Sequence, residues 1–340
     1  MSVYITNLKG FGQNSVAELA QQMVARIGCQ NLGMTELGIK FFNWSTESAE
    51  ERNAHFAGIV ASLSPNDTVI LQSPTWIAIE WDEGLLDYIK QQYTGAKIII
   101  FIHDVFPLMN ENYRSLLTPY INYYNKADTL IVPSKKMYDF LRKNGLKEAP
   151  YVVQHFWDHP CQINYFITPQ NNKVINFAGN SETNKFNFVK NWNNPNVKLR
   201  VFSNPKQENK DQNLEFMGWK NDPVLLEDLR KSGGFGLIWS EDAYWSEYMK
   251  LNTSYKLSTY LAAGIPIIVN SQTPEAETIK RKKIGIIADS LAEAQAKVLQ
   301  INDDEYKELI ENVDAFAKLI RGGYFTKKVL SDAIFKVRYE

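Results

Sequence analysis

Residues 252–270, NTSYKLSTYLAAGIPIIVN, constrain the fold of this chain more than any other stretch. A hydroxyl-rich start runs into a short apolar helix. Gly264 is placed to stop the helix, Pro266 prevents it from restarting, and Ile267-Ile268-Val269 reads as a buried strand. A helix that feeds a buried strand in this way is half of an α/β unit. The same helix start carries Ser254, Tyr255, Lys256, Leu257, Ser258 and Thr259. A helix N-terminus presents unpaired backbone N–H groups and a partial positive charge. A lysine in the first turn opposes that dipole, so an anion is the simplest reason to tolerate Lys256. Thr259, three residues on, shares its face and is expected to reach a ribose hydroxyl. The plainer alternative is an exposed lysine beside a capping serine.

The rest of the chain repeats the α/β scheme. Residues 3–6, 68–72, 97–102, 129–132 and 151–154 read as strands of a first half. Ser15 is expected to cap a helix through about residue 27, and Ser134 a helix that Gly145 ends. Residues 173–177, 198–202, 235–239, 267–269 and 284–287 read as strands of a second half, with helices over 304–319 and 325–337. Between the halves, HFWDHPCQINYFITPQNN has two prolines and no period, which puts a hinge near 155–170. The expectation is two Rossmann-like domains facing a cleft, over residues 1–155 and 156–320. A C-terminal helix over 321–340 is expected to pack back on the first.

Composition narrows the function classes. A chain of 340 residues is long for one core, so two domains are the prior. With 37 basic and 38 acidic residues there is no field for a nucleic-acid backbone. Cys29 and Cys161 lie far apart without metal-ligand spacing, which suggests reduced thiols and a cytoplasmic protein. MSVYITNLKG lacks the layout of a signal peptide, and no apolar run is long enough to span a bilayer. Aromatic residues make up 13%, which suits stacking on sugars or bases and equally suits an aromatic core.

In open parallel sheets, ligands sit beyond the carboxyl ends of the strands, which selects the candidate residues. AGNSETNK follows the strand at 173–177; its Asn180 and Lys185 suit a pyrophosphate contact or simply a solvated turn. Phe216-Met217-Gly218-Trp219 can hold a base by stacking, or pack Trp219 on the core. In the first half, Gly10-Phe11-Gly12-Gln13-Asn14-Ser15 departs from GxGxxG and reads as a cleft-lining loop or a plain turn. His103 and Asp104 end the strongest strand, where His103 can bind a sugar hydroxyl and Asp104 can orient it or accept a proton. Trp76, also after a strand, suits a sugar face or the core. There is no Walker loop, GxSxG, HExxH or DxD, so a metal cofactor is not expected. Neutralising a leaving diphosphate would fall to Lys185, Lys256 and the helix start.

FAGN, GGFGLIW and SYKLSTYLAAGIPIIV together resemble retaining glycosyltransferases of the two-domain GT-B fold. In the broad pattern a glutamate stands at Thr259 and another near Leu251; this chain has neither. MSVYITN, SPTW, FIHDVFPLM, YYNKAD, PSKKM, VVQHFWDHP and YKLSTYLAAGIPIIV span nearly the whole chain in order. They resemble the streptococcal and lactobacillar glucosyltransferases of serine-rich-repeat adhesin glycosylation. That resemblance implies transfer of glucose from UDP-glucose to N-acetylglucosamine on Ser or Thr of the adhesin. It also implies action in the cytoplasm, before accessory Sec export, by a homo-oligomer. By resemblance, Lys185 contacts the diphosphate, the Met217–Trp219 loop the uridine, residues 254–259 the diphosphate and ribose, and Ser15 and Val16 the cleft. The alternatives are a transferase for UDP-linked galactose, galactofuranose or N-acetylglucosamine, and a sugar-binding subunit without activity.

Overall fold

The computed structural model describes residues 1–12, 15–181, 183–204 and 213–340. Gln13 and Asn14 of the first glycine-bearing loop, and Glu182 of AGNSETNK, lie outside the described residues. Two compact units emerge, one of residues 1–154 with 325–340 and one of residues 155–324.

The first unit holds strands β1 (Val3–Lys9), β2 (Thr35–Lys40), β3 (Thr68–Ser73), β4 (Lys97–Ile102), β5 (Thr129–Val132) and β6 (Tyr151–Val153). Helices α1 (Val16–Leu32), α2 (Ala49–Ile59), α3 (Ile79–Gln92), α4 (Leu117–Tyr124) and α5 (Lys135–Lys143) alternate with them. The sheet order is β2-β1-β3-β4-β5-β6, parallel at every pairing. Helices on both faces bury the central strands completely, which is why KIIIFI and TVILQS are continuous rather than alternating. The sequence expectations do not include β2, α2, α3 or α4. β2 is an edge strand that buries only Leu37 and Ile39, so its signal is a short alternation. α2 carries a capping box between Ser48 and Glu51 that was legible in the sequence.

The second unit holds β7 (Val174–Ala178), β8 (Lys198–Phe202), β9 (Leu214–Phe216), β10 (Phe235–Leu237), β11 (Ile267–Asn270) and β12 (Gly285–Ala288). Its helices are α6 (Asp222–Ser232), α7 (Ala243–Met249), α8 (Tyr255–Ala263), α9 (Ala276–Lys282), α10 (Leu291–Gln300) and α11 (Asp303–Arg321). The order β12-β11-β10-β7-β8-β9 is also parallel throughout, and reverses direction between β7 and β10. Phe177, Phe188, Val201, Leu237 and Ile268 form its core.

The last helix, α12 (Tyr324–Arg338), belongs to the first unit from residue 325 onward. It buries Thr326, Val329, Leu330 and Ala333, one face at helical spacing. Arg338 Nε donates to Thr68 Oγ1 at 2.7 Å at its far end. Among the described residues no helix is long and apolar enough to cross a membrane.

Candidate functional site: two lysines at a strand-order reversal

The reversal between β7 and β10 opens the place where a doubly wound sheet binds ligands. Helix α8 is locked there by one residue. Tyr260 OH accepts from Ala178 N at 2.7 Å and donates to Leu237 O at 3.4 Å, tying the ends of β7 and β10 together. Gly236 makes this possible: a Cβ on it would lie 2.2 Å from Tyr260 Cγ. The far end of α8 is fixed by arginines, Arg230 donating to Ala263 O and Arg321 to Ala262 O. Cations at the helix C-terminus complement its dipole. Gly264, at φ 86, closes the helix and leaves no room for a side chain beside Arg230.

At the other end, Ser254 caps the helix, its Oγ accepting from Lys256 N at 3.3 Å. The Lys256 ammonium lies 5.4 Å from the Phe186 ring centre and 6.0 Å from that of Phe177. Gly179 leaves space for this chain, since a Cβ there would come within 3.1 Å of Lys256 Cε. Lys185 approaches from the loop after β7. Its carbonyl accepts from Ser240 Oγ at 2.6 Å, and its ammonium sits 3.5 Å over the Trp245 ring. Trp245 is oriented from α7, where Asp242 accepts from its backbone N at 2.7 Å. Burial, and then the like charge of Lys185, push Lys256 down to about 8. Two ammonium groups held against aromatic faces have the charge that suits a doubly charged anion.

The structure separates the other candidates by burial. Tyr255 is half-buried at the helix start, and Asn180 is exposed after β7. Leu257 and Ser258 are fully buried, and Ser258 Oγ donates to Trp157 O at 2.5 Å. Thr259 is also buried, its hydroxyl bonded to Tyr255 O at 3.3 Å and 3.4 Å from His159 Nδ1. These three side chains anchor the helix inward, and the Thr259 hydroxyl turns back onto its own helix. Trp219 is 52% exposed, which rules out the core-packing alternative and leaves its ring open for stacking. Trp245, Ser240 and Tyr260 were not identified from sequence. Nothing local ties Trp245 to a lysine sixty positions earlier; only the strand order does.

In the first unit, Ser15 stands at the N-cap of α1 without a side-chain cap bond, and Val16 is exposed. The loop before them is held by Glu18, which accepts from Gly10 N at 2.8 Å and Gly12 N at 2.9 Å. His103 is buried, with Nε2 2.8 Å from Gln72 Oε1. The Gln72 amide nitrogen donates to Thr6 O and Gln21 O, which turns its oxygen to His103. His103 therefore carries its proton on Nε2. Burial pushes its pKa down to about 3, so it is neutral at working pH. Asp104, next to it, is half-buried.

Comparison with known proteins decides the family. The domain descriptions "Glucosyltransferase 3-like, N-terminal domain" and "Glucosyltransferase 3-like, C-terminal domain" match residues 2–156 and 175–333. The chain belongs to the glucosyltransferase 3-like family. It is 40% identical to glucosyltransferase 3 of Streptococcus parasanguinis over 336 residues, covering 99% of each chain. It is 41% identical to glucosyltransferase 3 of Streptococcus gordonii over 340 residues, again covering 99% of each. Among solved structures it is similar to a glycosyltransferase from Rickettsia africae, with a TM-score of 0.70 at 14% identity and 100% coverage of both chains. The fold is GT-B, and this member of the glucosyltransferase 3-like family is a glycosyltransferase.

Proposed function

We propose that this chain is a retaining glucosyltransferase that takes glucose from UDP-glucose. In this reading it adds the sugar to N-acetylglucosamine on Ser or Thr of a serine-rich-repeat adhesin, in the cytoplasm and as a homo-oligomer. The carrying observation is the Lys185–Lys256 pair at the reversal of the second sheet. UDP is the dianionic leaving group that such a pair suits, with the exposed Trp219 offering a face to the uracil.

As the bond from the anomeric carbon to the phosphate oxygen breaks, charge collects on that oxygen. Lys185 and Lys256, fixed in advance by their aromatic walls, neutralise it without reorganising. The acceptor oxygen bonds to the anomeric carbon on the face the phosphate leaves, and its proton passes to the departing phosphate. Asp104, half-buried beside the neutral His103, orients a sugar hydroxyl.

The test is transfer to a peptide bearing N-acetylglucosamine, using UDP-linked glucose, galactose, galactofuranose and N-acetylglucosamine as donors. Glucose transfer with retained anomeric configuration is expected, with turnover about a hundredfold lower in Lys256→Ala. Preference for another donor overturns the glucose assignment, and failure to bind UDP favours a non-catalytic sugar-binding subunit.

A further inference from the structure

The first unit carries an aromatic feature that the lysine pair does not use. Four neighbouring strands of its sheet, in the order β2, β1, β3, β4, each lead into a loop with an aromatic residue. These are Phe41, Phe11, Trp76 and Phe106, and their rings touch in the same order as the strands. Phe41 meets Phe11 edge-on at 5.1 Å, and Phe11 stacks on Trp76 at 5.2 Å and 20°. Trp76 meets Phe106 edge-on at 5.9 Å, and Phe106 leads to Tyr113 at 4.6 Å. The Phe11–Trp76 stack bridges β1 and β3, where this sheet also reverses its strand order.

This row is not part of the core. Phe41, Phe11, Trp76 and Phe106 are half-buried and Tyr113 is 43% exposed, whereas Phe56, Trp81 and Phe101 of the same unit are fully buried. A contiguous apolar surface of this kind usually marks a binding site. The turn presenting Trp76 is tightly held. Asp82 accepts from Thr75 N at 3.2 Å and from the Thr75 hydroxyl, and Gln21 Nε2 donates to Pro74 O at 2.7 Å. Trp76 itself adopts φ 62, a left-handed backbone that a large side chain rarely takes. Its indole Nε1 is buried and has no hydrogen-bond partner among the described residues.

Charge narrows the occupant. Residues 10–12, 41–43, 73–78 and 103–109 contain no lysine or arginine, and Arg114, next to Tyr113, lies against the Phe140 ring at 5.4 Å, so the row carries no cluster of cations for a phosphate. What suits it is an uncharged ligand with flat apolar faces, which describes a pyranose.

We propose that the row Phe41–Phe11–Trp76–Phe106–Tyr113 is a carbohydrate-binding track. It stacks the sugar of the acceptor against its ring faces. The assignment rests on the glycosyltransferase reading, and deepens it by naming the groups that select the acceptor.

Acceptor titrations on the full chain test it, using a peptide bearing N-acetylglucosamine, with UDP affinity measured separately by calorimetry. Trp76→Ala and Tyr113→Ala should each raise the acceptor KM tenfold or more, leave the UDP Kd within twofold, and lower kcat less than they raise KM. Trp76→Phe should recover most of the loss, because stacking survives without the indole donor. Di-N-acetylchitobiose should quench tryptophan fluorescence in the wild type and not in Trp76→Phe, provided that variant keeps its acceptor KM near that of the wild type. Unchanged acceptor KM in folded Tyr113→Ala, whose side chain is already exposed, overturns the track, as does an equal loss of UDP affinity. A wild-type chain that binds the disaccharide but not UDP would overturn the donor reading and leave the track standing.

Discussion

Gly179 and Lys256 meet at the mouth of the second sheet, where a single added carbon on the glycine would lie 3.1 Å from Lys256 Cε and 3.0 Å from Phe177 Cζ. The glycine is there to make room for a lysine, and this defines a prediction. Gly179→Ala should weaken UDP binding about tenfold by displacing the ammonium, while shifting the thermal midpoint little, because the Lys256 chain can swing outward. Calorimetric titration with UDP checks this; unchanged affinity would mean that Lys256 lies outside the anion site.

Binding of UDP should depend on pH through Lys256. In the free protein its pKa is lowered to about 8, so above that pH the ammonium the anion needs becomes scarce. A bound diphosphate restores the higher pKa. Affinity should therefore fall roughly tenfold per pH unit above about 8, with proton uptake on binding near pH 8–9. Titrations in buffers of different ionisation enthalpy read the uptake directly.

The same lysine should destabilise the empty protein. Its folded pKa lies below the unfolded value, so the folded state binds fewer protons between about 8 and 10.5. The cost is fully present below about pH 8 and fades as pH rises towards 10.5. Lys256→Met should raise ligand-free stability at pH 7 by on the order of 2–3 kcal/mol, and abolish stabilisation by UDP. Denaturant melts at pH 7 and pH 10 with and without UDP separate the two effects.

Asp82 gives a second pH signature, in the first unit. It is buried, and desolvation pushes its pKa up to about 7 despite two hydrogen bonds from Thr75. Glu80 and the phenols of Tyr120, Tyr123 and Tyr124 surround it without supplying a cation. Between about 4 and 7 the folded state binds the extra proton, so this group's contribution to stability falls as pH rises through that window. Asp82→Asn should flatten the stability profile there and match or exceed the wild type above pH 7. A melt series from pH 4 to 8 reads the slope.

Much of this protein was legible before any coordinates. The helix from Tyr255 to Ala263, its serine cap, its glycine stop and the strand behind it stand where local chemistry puts them. Such signals are short-range: a cap, a left-handed closing residue and an apolar period each act within one or two turns. Lys185 and Lys256 could be nominated from sequence for the same reason, one following a strand and the other standing in the first turn of a helix. The edge strand β2 was lost because a half-buried strand shows only two buried side chains.

What the sequence could not decide is which of the nominated residues meet. That Trp245 carries Lys185, that Tyr260 lies on Gly236, and that Thr259 meets His159 all depend on contacts across 20 to 100 positions. The order of parallel strands sets those contacts, because it alone determines which loops share the carboxyl edge of a sheet. The sequence thus determined most of the elements and nominated the candidate residues. The tertiary structure decided which side chains form one electrostatic unit, because like charges depress each other, and rings stack, only when packing has brought them within a few ångströms.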